Sequence, residues 1–300
     1  MAIGAIEAGG TKFVCALFSD SGELLARTRT ETGRPESTMA EVNAFFGELS
    51  GTHRIDSFGV GCFGPIDVDP SGENYGRLLG TPKTAWIGYN LRSAIQSAFP
   101  VPVSIDTDVN VAALSEAEAA GEAVQSLAYV TVGTGVGVGI AIEGRILPLR
   151  RHPEIGHSYV RRSSDETARF RGICPYHGDC LEGVASGPAM RSRWDRPAEE
   201  LPADHPAWTV EADYLAQAVA NLILFFAPDR IVLGGGVMQQ EHLFSPIRDG
   251  AHRLLAGYVE YAADRADLDR IVVPQTLGGD AGIRGAYLIG RQLDRFRGPA

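Results

Sequence analysis

His157, Cys174, His177 and Cys180 stand in the order H-x16-C-x2-H-x2-C. Thiolate and imidazole in that mixture suit tetrahedral Zn²⁺, and a closed site with all four positions filled by protein is structural rather than catalytic. Pro175 and Gly178 favour the sharp turns that would close the short loop. The competing reading is two unconnected thiols and two surface histidines. Three candidate ligands within seven residues weigh against it. His152 is a spare candidate ligand. Glu154 and Glu182 flank the set, and a carboxylate accepts hydrogen bonds from substrate hydroxyls. A metal-held loop can therefore present its other side chains to a substrate.

Two more carboxylates, Asp106 and Asp108, lie in SIDTDVNVAALSEAEAAGE, residues 104–122. Both are expected to precede a helix, and either can be its N-cap. Two carboxylates exceed what capping requires. One of them, near polyphosphate, would serve as the proton acceptor that a hydroxyl nucleophile needs. Glycine clusters in four turns: Gly9-Gly10-Thr11-Lys12, Gly59–Gly64, Gly133–Gly139 and Gly234-Gly235-Gly236. Successive N–H groups in such turns can cradle an anion, and Thr11, Lys12 and Thr134 add hydroxyls and a positive charge. Neither common nucleotide fingerprint fits. A P-loop needs Lys directly after its last Gly, and GTGVGVG lacks the G-x-G-x-x-G spacing. Each turn alone is a structural turn as readily as a ligand loop. All four follow strands, and that favours polyphosphate bound from two similar halves.

The elements that must position these residues repeat. AIEAGGTKFVCALFSDSGELL (5–25) and YVTVGTGVGVGIAIEGRIL (129–147) share strand, Gly/Thr turn and second strand, about 124 residues apart. The alternative is that hairpins with glycine turns are simply common. After the first hairpin we expect a helix near 37–49, a strand at 55–63, a helix near 90–98, a strand at 101–105 and a helix from Val109 to about Ala120. After the second we expect helices near 186–194 and 209–227, a strand at 230–234, a helix near 242–257, a strand at 270–274 and a helix at 281–292. Strands alternating with helices of this length predict α/β layers. Two similar lobes with a cleft between them follow: 1–108, completed by the C-terminal helix 281–300, and 109–280 with the zinc element. In helix 209–227, Leu215, Val219, Leu222 and Phe226 read as a core stripe, although that helix could also supply a subunit interface.

Composition excludes other classes. The 300 residues are 44% hydrophobic and 21% charged, with net charge −10, which is globular and a poor partner for a phosphate backbone. No apolar stretch approaches the ~20 residues of a membrane span. The N-terminus lacks a basic n-region, so no signal peptide is expected and the compartment is expected to be cytoplasmic. Four cysteines do not make a disulfide scaffold. Cys15 and Cys62, within apolar runs, read as core.

The ordered motifs E-A-G-G-T-K (7–12), G-x-G-x-F-G-P-I-D (59–67), D-V-N-V-A-A-L-S-E (108–116), V-G-T-G-V-G-V-G (132–139), H-P-E-I-G-H (152–157), C-P-Y-H-G-D-C-L-E-G (174–183), L-G-G-G-V (233–237) and G-D-A-G-I-R-G-A (279–286) resemble the ROK family of sugar kinases and related repressors over essentially the full length. The resemblance implies the two-lobed actin-like, ribonuclease-H-like ATPase fold. It implies that Gly9, Gly10, Thr11 and Lys12 form a first phosphate loop, that Gly133, Thr134, Gly135 and Gly137 form a second, and that Gly234, Gly235 and Gly236 form an adenosine loop. It makes Asp108 the catalytic base. Glu154, His157 and Glu182 become sugar-binding residues, with His157 also a zinc ligand, and Gly64, Pro65 and Asp67 a loop that approaches the sugar. ATP, Mg²⁺, structural Zn²⁺ and a homodimer come with it.

Two departures point within the family. The usual C-x-C-G-x2-G-C becomes C-x2-H-x2-C, with His177 as a replacement ligand. In T-P-K-T-A-W (81–86) Lys83 stands where a sugar-contacting Asn is usual. Both are similar to the zinc-containing bacterial fructokinase branch, which implies fructose phosphorylation at O6. The alternatives are a glucose, mannose or N-acetylmannosamine kinase, a sugar-sensing protein without catalysis, and an actin-like polymer subunit. Asp108 and the phosphate loops argue against the sensor, and the zinc element and Glu154 against the polymer. No winged helix precedes Met1, so repressor members are expected to be the poorer match.

Overall fold

The computed structural model describes residues 2–292. The end of the last expected lobe segment, 293–300, lies outside them. The chain divides into two compact units. One comprises the described residues of Met1–Ser115, Arg145–His152 and Gly279–Ala300; the other comprises Glu116–Gly144 and Pro153–Gly278.

In the first unit β1 (Ala2–Ala8) and β2 (Lys12–Ser19) form an antiparallel hairpin, in register from Ala2↔Ser19 to Ala8↔Phe13. β3 (Leu24–Glu31) extends it. β4 (Ile55–Cys62) and β5 (Val103–Thr107) add parallel strands, giving the order β3-β2-β1-β4-β5. The crossovers are α1 (Pro35–Ser50) and α2 (Leu91–Ala98). Pro35 opens α1, where its fixed φ suits a first turn. Asn90 caps α2 by accepting from Ser93 N at 2.9 Å. Phe13, Phe46, Phe58 and Trp86 pack together as one buried cluster of this unit. Truncating a fully buried phenylalanine such as Phe46 to alanine costs ~3–5 kcal/mol.

A second cluster joins Ile3, Val14 and Phe18 of the sheet to Val111 and Leu114 of α3 (Asp108–Ala120) and to Ile283, Tyr287 and Ile289 of α9 (Ala281–Arg291). α9 lies against β4 so closely that a Cβ on Gly59 would fall 1.9 Å from the Ala286 carbonyl oxygen. Only glycine permits that approach.

The second unit repeats the opening move. β6 (Ser126–Val132) and β7 (Val136–Ile142) form a hairpin, and β6 also pairs in parallel with β9 (Arg230–Gly234), as β1 does with β4. A two-residue strand β8 (Arg145–Ile146) follows β7 in the chain, and β10 (Val272–Pro274) pairs in parallel with β9. The helices are α4 (Leu181–Ala185), α5 (Gly187–Trp194), α6 (Ala207–Phe226), α7 (Phe244–Leu255) and α8 (Arg265–Ile271). In α6, Leu215, Val219 and Leu222 are buried and Phe226 is half-buried.

One expected strand is shorter than its apolar run. Of residues 270–274, Arg270 and Ile271 end α8, and pairing begins at Val272. The reason lies upstream: Asp264 and Asp267 form a reciprocal capping box that commits the preceding residues to a helix. Cys15 and Cys62 are fully buried, as expected. No helix among the described residues is long and apolar enough to cross a membrane.

Candidate functional site

The structure brings His157, Cys174, His177 and Cys180 together, with ligand atoms all within 4.8 Å of one another. Cys174 Sγ lies 3.7 Å from Nδ1 of both His157 and His177, and Cys180 Sγ lies 3.5 Å from His157 Nδ1. Tetrahedral zinc, with bonds of about 2.3 Å to sulfur and 2.0–2.1 Å to nitrogen, requires S···N separations near 3.5 Å. The donor set and its spacing therefore fit that ion. The loop is closed locally: Cys174 N donates to Gly178 O at 3.1 Å and Gly178 N to Cys174 O at 2.9 Å, making a tight turn with Gly178 at φ +66°. His152, the spare candidate, is not part of this cluster. It belongs to the first unit, with Nδ1 3.4 Å from Thr107 Oγ1 and 3.3 Å from Asn110 Nδ2.

Glu182 follows Cys180 into the first turn of α4. Its Oε1 lies 3.9 Å from His157 Nε2, the ring nitrogen turned away from the thiols. Its Oε2 accepts from Val136 N at 3.0 Å. A Cβ on Gly135 would lie 2.6 Å from that same oxygen, so a side chain there would displace the carboxylate. Glu154 is exposed, at the entry to the short helical turn Ile155–His157.

The β6–β7 turn is folded on itself, with Gly133 N donating to Gly135 O at 2.9 Å and Thr134 exposed. Gly187 N, at the start of α5, donates to Gly133 O at 2.8 Å. A Cβ on Gly133 would sit 3.8 Å from Gly236 N. Gly133–Gly135 and Gly234–Gly236 are thus neighbours within the second unit, and Gly137 continues in β7. Such a concentration of small residues and backbone N–H groups can receive an anion.

In the first unit Gly9 and Gly10 make the β1–β2 turn, closed by Gly9 N donating to Lys12 O at 3.0 Å, and Thr11 and Lys12 are exposed. Gly64 and Pro65 are joined by a cis peptide in the loop after β4. Asp67 Oδ1 accepts from Asp69 N at 3.0 Å, so that carboxylate shapes its own loop. Lys83 is exposed and precedes a short helical turn anchored by buried Trp86, whose Nε1 donates to Gly33 O at 2.9 Å.

Asp108 is the first residue of α3 and Asp106 lies in β5, so only Asp106 precedes the helix. The cap is neither of them: Thr107 Oγ1 accepts from Asn110 N at 3.3 Å. Asp108 Oδ1 accepts from Val109 N at 2.9 Å. Asp106 is buried, and Thr107 N and Asn110 Nδ2 each donate to its Oδ1 at 2.7 Å. Burial pushes its carboxyl up to about 6 against the lowering of those donors.

Sequence reasoning passed over Glu7. It lies in β1 with Oε2 buried and without a hydrogen-bond partner among the described residues. Burial raises its carboxyl, while Lys12 and Arg27 act to lower it and Asp280 to raise it. The available signal was an acidic residue in an otherwise apolar strand beside the first glycine turn.

The sequence profile of the ROK family matches residues 3–292. A fructokinase of Pediococcus pentosaceus is 41% identical over 290 residues, 96% of this chain and 97% of the relative. The crystal structure of a ROK hexokinase from Thermus thermophilus superposes with a TM-score of 0.75 at 26% identity, over 98% of this chain and 99% of that one. A ROK family glucokinase from Streptomyces griseus, solved with glucose and AMPPNP, shares the fold at 24% identity, a TM-score of 0.75 and coverage of 97% and 100%.

Proposed function

The chain belongs to the ROK family and is a hexose kinase using ATP, and from that premise we propose that its substrate is D-fructose and its product fructose 6-phosphate. The observation that carries the choice of fructose is 41% identity, along almost the whole chain, to a relative named fructokinase. Lys83 and the C-x2-H-x2-C loop support the same branch.

Asp108 is the proposed proton acceptor for the attacking hydroxyl. Glu154, His157 and Glu182 hold sugar hydroxyls by hydrogen bonds, and Gly64, Pro65, Asp67 and Lys83 complete sugar recognition. Gly9, Gly10, Thr11 and Lys12, with Gly133, Thr134, Gly135 and Gly137, receive the phosphates; Gly234, Gly235 and Gly236 receive the adenosine. Mg²⁺ would supply charge neutralisation at the phosphates. Zn²⁺ held by His157, Cys174, His177 and Cys180 supplies structure, because four protein ligands leave no open position for chemistry.

The assembly is proposed to be a cytoplasmic homodimer. Leu224 and Phe225, exposed near the end of α6, are apolar surface for a second copy to cover. Sedimentation at micromolar protein tests this, and a monomer would refute it.

The deciding experiment for function is coupled ADP release across a panel of hexoses. Fructose should give the highest kcat/KM. A higher value for glucose, mannose or N-acetylmannosamine would move the substrate while leaving the kinase in place. No turnover of any hexose, with binding retained, would favour the sugar-sensing alternative.

A further inference from the structure

His152 is left without a role once the metal cluster is assembled. Its surroundings determine its chemistry. Asn110 Nδ2, 3.3 Å from His152 Nδ1, can only donate. Its orientation is set independently, because Asn110 Nδ2 also donates to the buried Asp106 Oδ1 at 2.7 Å. Nδ1 of His152 is therefore the acceptor, and Thr107 Oγ1 lies 3.4 Å from the same atom. An imidazole that accepts at Nδ1 is neutral and carries its proton on Nε2. Burial, which pushes His152 down to about 4, agrees with the neutral form.

The result is a directed chain in the first unit: the Asp106 carboxylate orients the Asn110 amide, the amide orients the imidazole, and the imidazole presents Nε2–H. That donor has no hydrogen-bond partner among the described residues. That ring N–H is not among the buried unpartnered atoms, so it is open to an acceptor from solvent or from a ligand. Thr107, which touches the ring, immediately precedes Asp108.

We propose that His152 is a sugar-recognition residue, donating Nε2–H to one hydroxyl oxygen of the hexose whose proton Asp108 accepts, with Asn110 and Asp106 as its positioning residues. The inference rests on the role given to Asp108 under the proposed function. It makes His152 a selector for a hydroxyl at one position and orientation on the sugar.

Two isosteric replacements separate this from a purely structural corner. His152→Asn places its amide near Nδ1, keeping the contact with Asn110 and Thr107 while deleting the outer donor. His152→Gln places an amide N–H near Nε2, restoring the donor. Sugar binding is measured by calorimetry, turnover by the coupled assay, and folding by thermal melting. We expect His152→Asn to weaken sugar binding by roughly 5-fold or more, the size of one lost hydrogen bond. The KM for ATP should move much less, and His152→Gln should lie closer to the parent. Against a set of monodeoxy hexoses, one analogue should bind less tightly than fructose to the parent but equally well to His152→Asn.

Parent-like sugar affinity in a folded His152→Asn protein overturns the proposal. So does a loss shared equally between sugar and ATP, or between both variants. So does a set of analogues in which none singles out His152. If the parent binds and phosphorylates the hexose normally while these signs are missing, only the inference about His152 falls. If the parent binds no hexose, the proposed function falls with it. Should His152→Asn fail to fold, the analogue set on His152→Gln and the parent still decides, because a donor at Nε2 must retain the same preference.

Discussion

Glu182 Oε2 accepts a hydrogen bond from Val136 N at 3.0 Å, so the residue two positions after Cys180 holds the turn between β6 and β7. The other oxygen of the same carboxylate lies 3.9 Å from His157 Nε2. One side chain thus ties the Cys/His loop to the glycine turn proposed for phosphate. Loss of the loop's geometry must be felt at that turn, although the two are 46 residues apart in the chain.

Purified protein should accordingly contain about one zinc per chain, and Cys180→Ser should lower zinc content, thermal stability and activity together. Chelation should do the same to the parent. Elemental analysis beside melting curves checks this. Absence of zinc in the parent, or unchanged zinc in Cys180→Ser, refutes the assignment.

Asp108→Asn keeps the shape and the oxygen that accepts from Val109 N but removes the proposed proton acceptor. Loss of a general base costs typically ~10²–10⁴ in rate, so kcat should fall by at least roughly 10²-fold with fold, zinc content and ATP binding preserved. Asp106→Asn should be far milder on kcat. Thr107 N and Asn110 Nδ2 donate to Asp106 Oδ1, which an asparagine carbonyl can replace. Steady-state rates with circular dichroism and nucleotide titration make the comparison; a folded Asp108→Asn enzyme with near-normal kcat removes Asp108 from the chemistry.

Lys83 should set sugar preference. The parent should show higher kcat/KM for fructose than for glucose or mannose, and Lys83→Asn should narrow that ratio. Hydrogen-bonded discrimination spans modest values to about 10⁴-fold, so the direction is the test. A ratio unchanged by Lys83→Asn separates Lys83 from specificity.

Glu211 offers a pH prediction. It is fully buried on α6, neither carboxylate oxygen has a hydrogen-bond partner among the described residues, and the nearby Arg193–Glu166 ion pair is itself buried. Burial raises its carboxyl well above 4.5; Arg193 acts to lower it and Glu166 to raise it. The sign follows from linkage. Below pH 4.5 folded and unfolded chains both hold the proton, so nothing is lost. As pH rises beyond that value the unfolded chain releases its proton while the folded one retains it, and stability falls until the folded carboxyl also ionises. Glu211→Gln does not titrate. Its melting temperature relative to the parent should therefore increase from pH 5 to pH 8. A difference that is flat or shrinks over that range contradicts the prediction.

Sequence determined the chemistry that spacing alone can carry. H-x16-C-x2-H-x2-C marked four side chains that the fold gathers, because three of them are brought together by one short turn and need no distant help. The two glycine hairpins were legible because strand alternation and a Gly/Thr turn are local signals, and so was the strand-to-helix junction at Asp108. Tertiary structure alone decided what depends on chain crossings. Nothing in residues 104–122 announces that His152 will meet Asn110, 42 positions away, rather than the cysteines 22 and more positions beyond it. Which of Asp106, Thr107 and Asp108 caps α3 hinges on a one-residue difference in where β5 ends, and propensities for capping do not resolve that. The helix that the capping box opens, α8, takes the first two residues of the run 270–274, whose last three pair as β10. Glu211 and Arg193 look like ordinary surface residues of two helices until α5 and α6 are folded into the core of their unit. Burial is a property of the assembled layers, and a charged side chain records it only after the layers exist.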